Sequence, residues 1–211
     1  MIGQVDEALR AMVREAVQSS DIEVVLDAPT KDWAARRNAP TVDVYLYDLR
    51  EDLRQRSRGI VEHRGADNLT QRWRPPRHFR LSYLVTAWTQ RPEDEHRLLG
   101  SVLRHLLRFD ALAADVLDGP LRDAGARPRL FVGLPPPEDR GFADVWSALG
   151  GELKPSIDVV VVLPLLEDIG FEAGPPVREP AVIEVADVGS GAADTAVRKH
   201  EPPPPRARRR R

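Results

Sequence analysis

One stretch constrains the fold more than any other: residues 157–166, Ile-Asp-Val-Val-Val-Val-Leu-Pro-Leu-Leu. Four consecutive valines favour extended backbone, and a strand that is apolar on both sides must be covered on both faces. The run is therefore expected as a central strand of a sheet with layers above and below it. Its longest apolar part, residues 159–166, falls far short of the roughly 20 residues a membrane-spanning helix needs.

The partners of such a strand are legible by alternation. Residues 41–49 place Val42, Val44 and Leu46 on one face and Asp43, Tyr45, Tyr47 and Leu49 on the other. By that parity Asp43 and Asp48 point to opposite faces. Residues 78–89 place Phe79, Leu81, Tyr83, Val85 and Ala87 on one face and Leu84, Thr86 and Trp88 on the other. Residues 22–26 and 129–134 read as shorter strands. Helical spacing appears three times. Residues 1–20 carry Ile2, Val5, Leu9, Met12, Val13, Ala16 and Val17. Pro92 opens a helix with Glu93, Asp94 and Glu95 in its first turn, where acids oppose the helix dipole. Its apolar face is Leu98, Leu99, Val102, Leu103, Leu106 and Leu107. Residues 141–149 align Phe142, Val145, Trp146 and Leu149 and stop at Gly150-Gly151. Residues 32–38 read as a loop or a single turn, and residues 110–118 as a short helical piece stopped by Gly119-Pro120. The order predicts an α/β (α+β) domain: a single mixed sheet with flanking helices.

Two segments break this pattern. Between Arg50 and Arg80 there are nine arginines against four acids, with no apolar periodicity. Arg72-Trp73-Arg74-Pro75-Pro76-Arg77 closes the stretch, and its prolines favour an extended chain. A long exposed loop or an extended hairpin arm is expected. Arg54, Arg56, Arg58, Arg64, Arg72, Trp73, Arg74 and Arg77 are its candidate interface residues, since arginine and tryptophan are favoured anchors at protein contacts. The same mixture can grip phosphate and stack on a base, so a nucleic-acid-binding module is the alternative reading. After residue 169 the chain turns to Gly, Pro, Ala and Val, with seven acids against three bases over residues 167–200. Residues 182–185 are a candidate edge strand. Four prolines then lead to Arg206, Arg208, Arg209, Arg210 and Arg211, a stiff spacer with a basic tip. This divides the chain into a compact domain, 1–169, and a flexible extension, 170–211, whose tip is a candidate tail contact for RNA, which would join it to the arm in the nucleic-acid alternative, for an acidic membrane surface or for an acidic protein patch.

Composition excludes some functions. Lys and Arg number 31 against 33 Asp and Glu, so the chain is not a uniformly basic nucleic-acid binder. Of those bases 28 are arginine, which codon bias in a GC-rich genome explains most simply. There is no cysteine, hence no disulfide, thiolate metal site or cysteine nucleophile. Charges at Asp6, Glu7, Arg10, Arg14 and Glu15 rule out a secretory signal over the first residues, so a cytoplasmic location is expected. No phosphate loop, dinucleotide fingerprint, nucleophile elbow or zinc-helix motif occurs. His96 and His105 lie nine residues apart, on opposite faces of one helix. All five histidines (His63, His78, His96, His105 and His200) are expected at the surface. The reading is of a chain with no catalytic residue, cofactor, metal or small-molecule substrate; carboxylates brought together by the fold would be needed to revive an enzyme.

The motifs also occur in a telling order. A first helix and Thr-Val-Asp-Val-Tyr-Leu-Tyr at 41–47 precede the arginine-rich stretch and Pro75-Pro76. Leu-Ser-Tyr-Leu-Val-Thr-Ala-Trp-Thr follows at 81–89, then Asp-Glu-His-Arg-Leu-Leu-Gly at 94–100. Trp-Ser-Ala-Leu-Gly-Gly at 146–151 and Lys-Pro-Ser-Ile at 154–157 close the series. Over about residues 1–168 this resembles the cap, or tail-terminator, proteins of extracellular contractile injection systems, which are phage-tail-like particles. The resemblance implies a terminator fold without catalytic residues. It implies a six-membered ring on the baseplate-distal end of the inner tube, bound to the tube and sheath proteins of the same particle. There it would end their polymerisation and tie sheath to tube.

Overall fold

The computed structural model describes residues 1–64, 70–112, 115–135, 141–165 and 170–172. The chain opens with helix α1, Ile2–Val17, whose buried stripe is Val5, Ala8, Leu9, Met12 and Val13. Gln18, at φ 51°, ends it in the left-handed conformation. Strand β1, Glu23–Val25, follows. The stretch expected as a loop or single turn is a short helix, α2, Lys31–Ala35, capped by the Thr30 hydroxyl accepting from the Trp33 N–H at 3.2 Å. Strands β2, Thr41–Glu51, and β3, Val61–Arg64, come next, separated by a 3-10 turn at Leu53–Gln55. Then follow β4, Thr70–Trp73, β5, His78–Trp88, and helix α3, Pro92–Leu106. The chain continues through α4, Gly119–Asp123, β6, Arg129–Val132, α5, Phe142–Ala148, β7, Ser156–Pro164, and β8, Gly170–Glu172.

Strand order in the main sheet is β1-β2-β5-β7-β6. β1 runs parallel to β2 and every other pair is antiparallel, so the sheet is mixed as expected. The valine run is interior, between β5 and β6, although the middle position belongs to β5. A second, three-stranded sheet, β3-β4-β8, joins the arginine-rich segment to the first residues after 169. The arm is thus a hairpin, and its β4 pairs with β8 through Arg72 opposite Phe171 and Trp73 opposite Gly170. By packing, the chain divides into one unit of Met1–Val61 with Arg74–Ile169 and another of Glu62–Trp73 with the chain from Gly170 onward. The candidate edge strand at 182–185 lies outside the described residues.

In the first unit, α1 and α3 cover one face of the sheet. Val42, Val44, Leu81, Tyr83, Val85, Val159, Val161 and Leu163 meet their apolar stripes in one buried cluster. The Tyr83 hydroxyl reaches Asp6 at 2.7 Å. Its burial and that carboxylate push the phenol's pKa up. The opposite face carries Leu84, Val160 and Val162 together with Asp43, Ser82, Thr86 and Asp158. Trp33 of α2 and Trp146 of α5 lie over this face, linked through Trp88.

Three local expectations need correction. The β2–β5 register slips between Leu46 and Asp48, a bulge that makes Tyr47 the extra residue. Parity flips beyond it. Leu49 pairs with Leu81 on the α1–α3 side, and Asp48 comes to the same face as Asp43. Residues 110–112 do not begin a helix. They run along the outer edge of β6, with Leu130 N–H on the Asp110 carbonyl and Leu112 N–H on the Pro128 carbonyl, both at 2.9 Å. A sheet edge with unpaired backbone groups outcompetes a short helix there. Gly119-Pro120 then begins α4 rather than ending a helix, because proline suits a first helical turn. At the end of α3 the expected exposures are reversed: Leu107, the residue that caps it, is 61% exposed, whereas His105 is buried against Phe109 and lies 3.8 Å from the Glu15 carboxylate.

Candidate assembly interface

The interface residues expected on the arm fall into two groups. Arg54, Arg56 and Arg58 stand exposed in and after the 3-10 turn that ends β2, and the Arg54 N–H is held by Asp52 at 3.1 Å. Arg74 and Arg77 are exposed between β4 and β5. Glu51 draws the ends of the two segments together. Its carboxylate accepts from Arg77 Nε at 3.0 Å and from Arg77 Nη2, and Arg56 Nε is 3.5 Å away. The Arg77 hydrogen bonds hold the Glu51 carboxyl below its ordinary pKa. Arg64 lies on β3, and Arg72 and Trp73 on β4. The tail arginines, 206 and 208–211, lie outside the described residues.

Sequence reading missed a set of apolar side chains beside these arginines. Leu49, Leu53, Ile60 and Val61 are 45%, 67%, 55% and 55% exposed. Single exposed leucines are ordinary, but a run of them among arginines is the composition of a contact surface. The signal was present as aliphatics spaced through a stretch that lacks helix or strand periodicity.

The other end of β2 and β5 is built differently. Trp88 packs edge-on to Trp33, ring centroids 5.4 Å apart, and is tilted against Trp146 at 6.3 Å. Lys154 Nζ sits 4.1 Å above the Trp88 ring, and Arg37 lies 4.7 Å over Trp33. Lys154 also donates to Glu95 Oε1 at 2.7 Å, and the same oxygen accepts the Thr89 N–H at 3.1 Å. Glu95 thereby ties the start of α3 to the end of β5 and to the loop before β7. The Gly-Gly after α5 has a physical cause. Gly150 takes φ 66°, and a Cβ on Gly151 would stand 3.2 Å from the Trp146 ring. Beside this seam lies a half-open cleft of about 610 Å³. Ile22, Trp88 and Leu98 give it apolar walls, and Arg37, Arg91 and Arg97 stand among its lining.

The polar groups beneath the seam do not compose an active site. Asp43 is fully buried, and burial together with the nearby Asp27 carboxylate pushes its pKa up to about 8. Asp158, also buried, accepts from the Tyr47 hydroxyl at 2.9 Å. Burial raises the Asp158 pKa, with Tyr47 and Arg80 opposing. Both carboxyls are sealed from solvent, where a catalytic pair needs access to a substrate. Among the described residues no group of three or more His, Asp or Glu could hold a metal ion. Nor, among them, is any helix long and apolar enough to cross a membrane.

The family described as the Pvc16 N-terminal domain matches residues 4–179. The chain belongs to the Pvc16 N-terminal domain family. Two solved structures share its fold. One is the sheath/tube terminator of the extracellular contractile injection system PVC in its extended state, at TM-score 0.62 and 24% identity over 90% of this chain. The other is the tube-terminating cap of the anti-feeding prophage, at TM-score 0.59 and 22% identity over 86% of this chain. The chain spans 65% and 61% of the length of those two proteins. No curated protein sequence matches it. The Pvc16 N-terminal domain match takes in both sheets, and four of the motifs that had suggested a terminator meet at the tryptophan seam. Trp88 comes from 81–89, Glu95 from 94–100, Trp146 and Gly151 from 146–151, and Lys154 from 154–157.

Proposed function

We propose that this chain is the structural cap of a contractile injection particle. Six copies form a ring on the baseplate-distal end of the inner tube and sheath. The ring stops both from polymerising further and ties the last sheath layer to the tube. The observation that carries this reading is membership of the Pvc16 N-terminal domain family over residues 4–179, supported by a fold shared with two terminators of such particles. The exposed aliphatics and arginines of residues 49–61 suit a protein whose work is contact rather than chemistry. Residues 1–169 carry the cap fold. Residues 170–211 are its extension, whose arginine tip is free to tether the particle to an anionic surface. The test is to locate a tagged copy on purified particles by gold labelling. Label at one end, opposite the baseplate, supports the cap; label along the whole particle or absent from it rejects it.

A further inference from the structure

Of the side chains lining the cleft beside Trp88, three are arginines, Arg37, Arg91 and Arg97, and only Asp94 is an acid. The cleft is therefore basic, and it repels the segment 49–61 of a second copy, which carries Arg50, Arg54, Arg56 and Arg58. Its walls are apolar where Ile22, Trp88 and Leu98 form them. Its volume of about 610 Å³ falls within the range of roughly 300–1,000 Å³ that binding clefts occupy. We propose that this cleft receives an extended acidic segment of another protein of the particle, with an aliphatic or aromatic side chain of that segment entering between the arginines. This rests on the cap reading and names the chemistry of one partner.

The arginines differ in how readily they can take a new carboxylate. Arg37 is held in place by Glu23 at 3.0 Å and Asp27 at 3.4 Å, neither of which lines the cleft, and it lies over Trp33. Arg91 and Arg97 have side chains 73% and 76% exposed, paired with Glu93 at 3.7 Å and Asp94 at 3.0 Å. Surface pairs of this kind are weak, so an incoming carboxylate exchanges for the resident one at little cost. A guanidinium then grips it through two parallel hydrogen bonds. Asn38 and Gln90 add exposed amides that suit the backbone of an extended peptide. Nucleic acid fits less well. A stacked base needs an open ring face, yet Lys154 Nζ stands 4.1 Å over Trp88 and Trp33 packs against the same ring. A continuous phosphate backbone also meets Glu93 and Asp94 as it crosses the rim, whereas a peptide can set its carboxylates opposite Arg91 and Arg97 alone.

The test places the photo-crosslinking residue p-benzoylphenylalanine at Asn38, an exposed position of the cleft lining, in the tagged full-length chain. The chain is co-expressed with the whole particle, the particles are irradiated, and the joined segment is sequenced by mass spectrometry. The proposal expects a crosslink to a net-negative segment of another particle protein. Its yield should exceed by about ten-fold that from the same residue at Leu107, which is exposed on another part of the molecule. Arg91→Glu combined with Arg97→Glu should cut the yield by about the same factor. Both arginines lie at the surface, so the variant's thermal unfolding should match the parent's. A crosslink to this chain itself, to nucleic acid or to a neutral or basic segment overturns the proposal, as does a yield that survives the charge reversal. Tagged chain on particle ends with no crosslink above the Leu107 control overturns it too and leaves the cap reading standing. Absence of tagged chain from particles overturns both.

Discussion

The two faces of the main sheet bury their side chains by different means, and the α1–α3 side buries more of them. Beneath α1 and α3 the interior is mostly aliphatic, with the Tyr83–Asp6 hydrogen bond its polar exception. Across the sheet, Trp33, Trp88 and Trp146 lie over buried Asp43, Thr86 and Asp158, and Glu95–Lys154 closes the margin. On the first face most positions are set by volume. The second demands particular residues, because each ring and carboxyl is fixed by a direction as well as a volume.

That contrast can be tested by substitution. Trp146→Ala empties the centre of the seam and should cost about 4 kcal/mol in chemical denaturation, as large as or larger than Leu81→Ala on the aliphatic face. Near-neutral behaviour would mean the seam is not a packed layer. Asp43→Asn comes next. The unfolded chain releases this proton near 3.8, whereas the folded chain holds it to about 8. Stability from this group is full below about pH 4 and falls as pH rises to about 8. The amide should remove that fall and leave the variant more stable than the parent at pH 8, by on the order of 3 kcal/mol. Parallel pH–stability curves for the two proteins would contradict the assignment.

Glu95→Gln keeps the shape but leaves Lys154 without its carboxylate in a mostly buried site. A loss of about 2 kcal/mol is expected, and Lys154→Met in the same background should recover part of it. A simple sum of the two single losses would show that they do not act as a pair. The smallest effect belongs to Glu51→Gln. Its partners Arg56 and Arg77 are half exposed, so thermal unfolding should stay within experimental scatter. A clear destabilisation would instead make Glu51 a structural clamp of the arm.

Much of this arrangement was legible in the chain. The alternation in β5, the valines of β7 and the acid-led start of α3 each obey a local rule, and each element formed where that rule placed it. What escaped depends on contacts distant in sequence. The bulge at Tyr47 changes which face Leu49 and Asp48 occupy, and no residue nearby announces it. The run at 110–112 was drawn to the β6 edge by a strand nearly twenty residues later. His105 is buried because α1 crosses α3 at that level, close to Glu15. Among the candidate interface residues, the arginines were visible as composition. The adjacent aliphatics were hidden, since exposure of Leu53 and Ile60 is a property of the folded surface.

The central claim is that this chain ends the growth of a tube and its sheath. It is tested most directly by electron microscopy of particle length in cells that lack the chain. The account predicts tubes and sheaths of uncontrolled length, or no finished particles. Capped particles of normal, uniform length would contradict it.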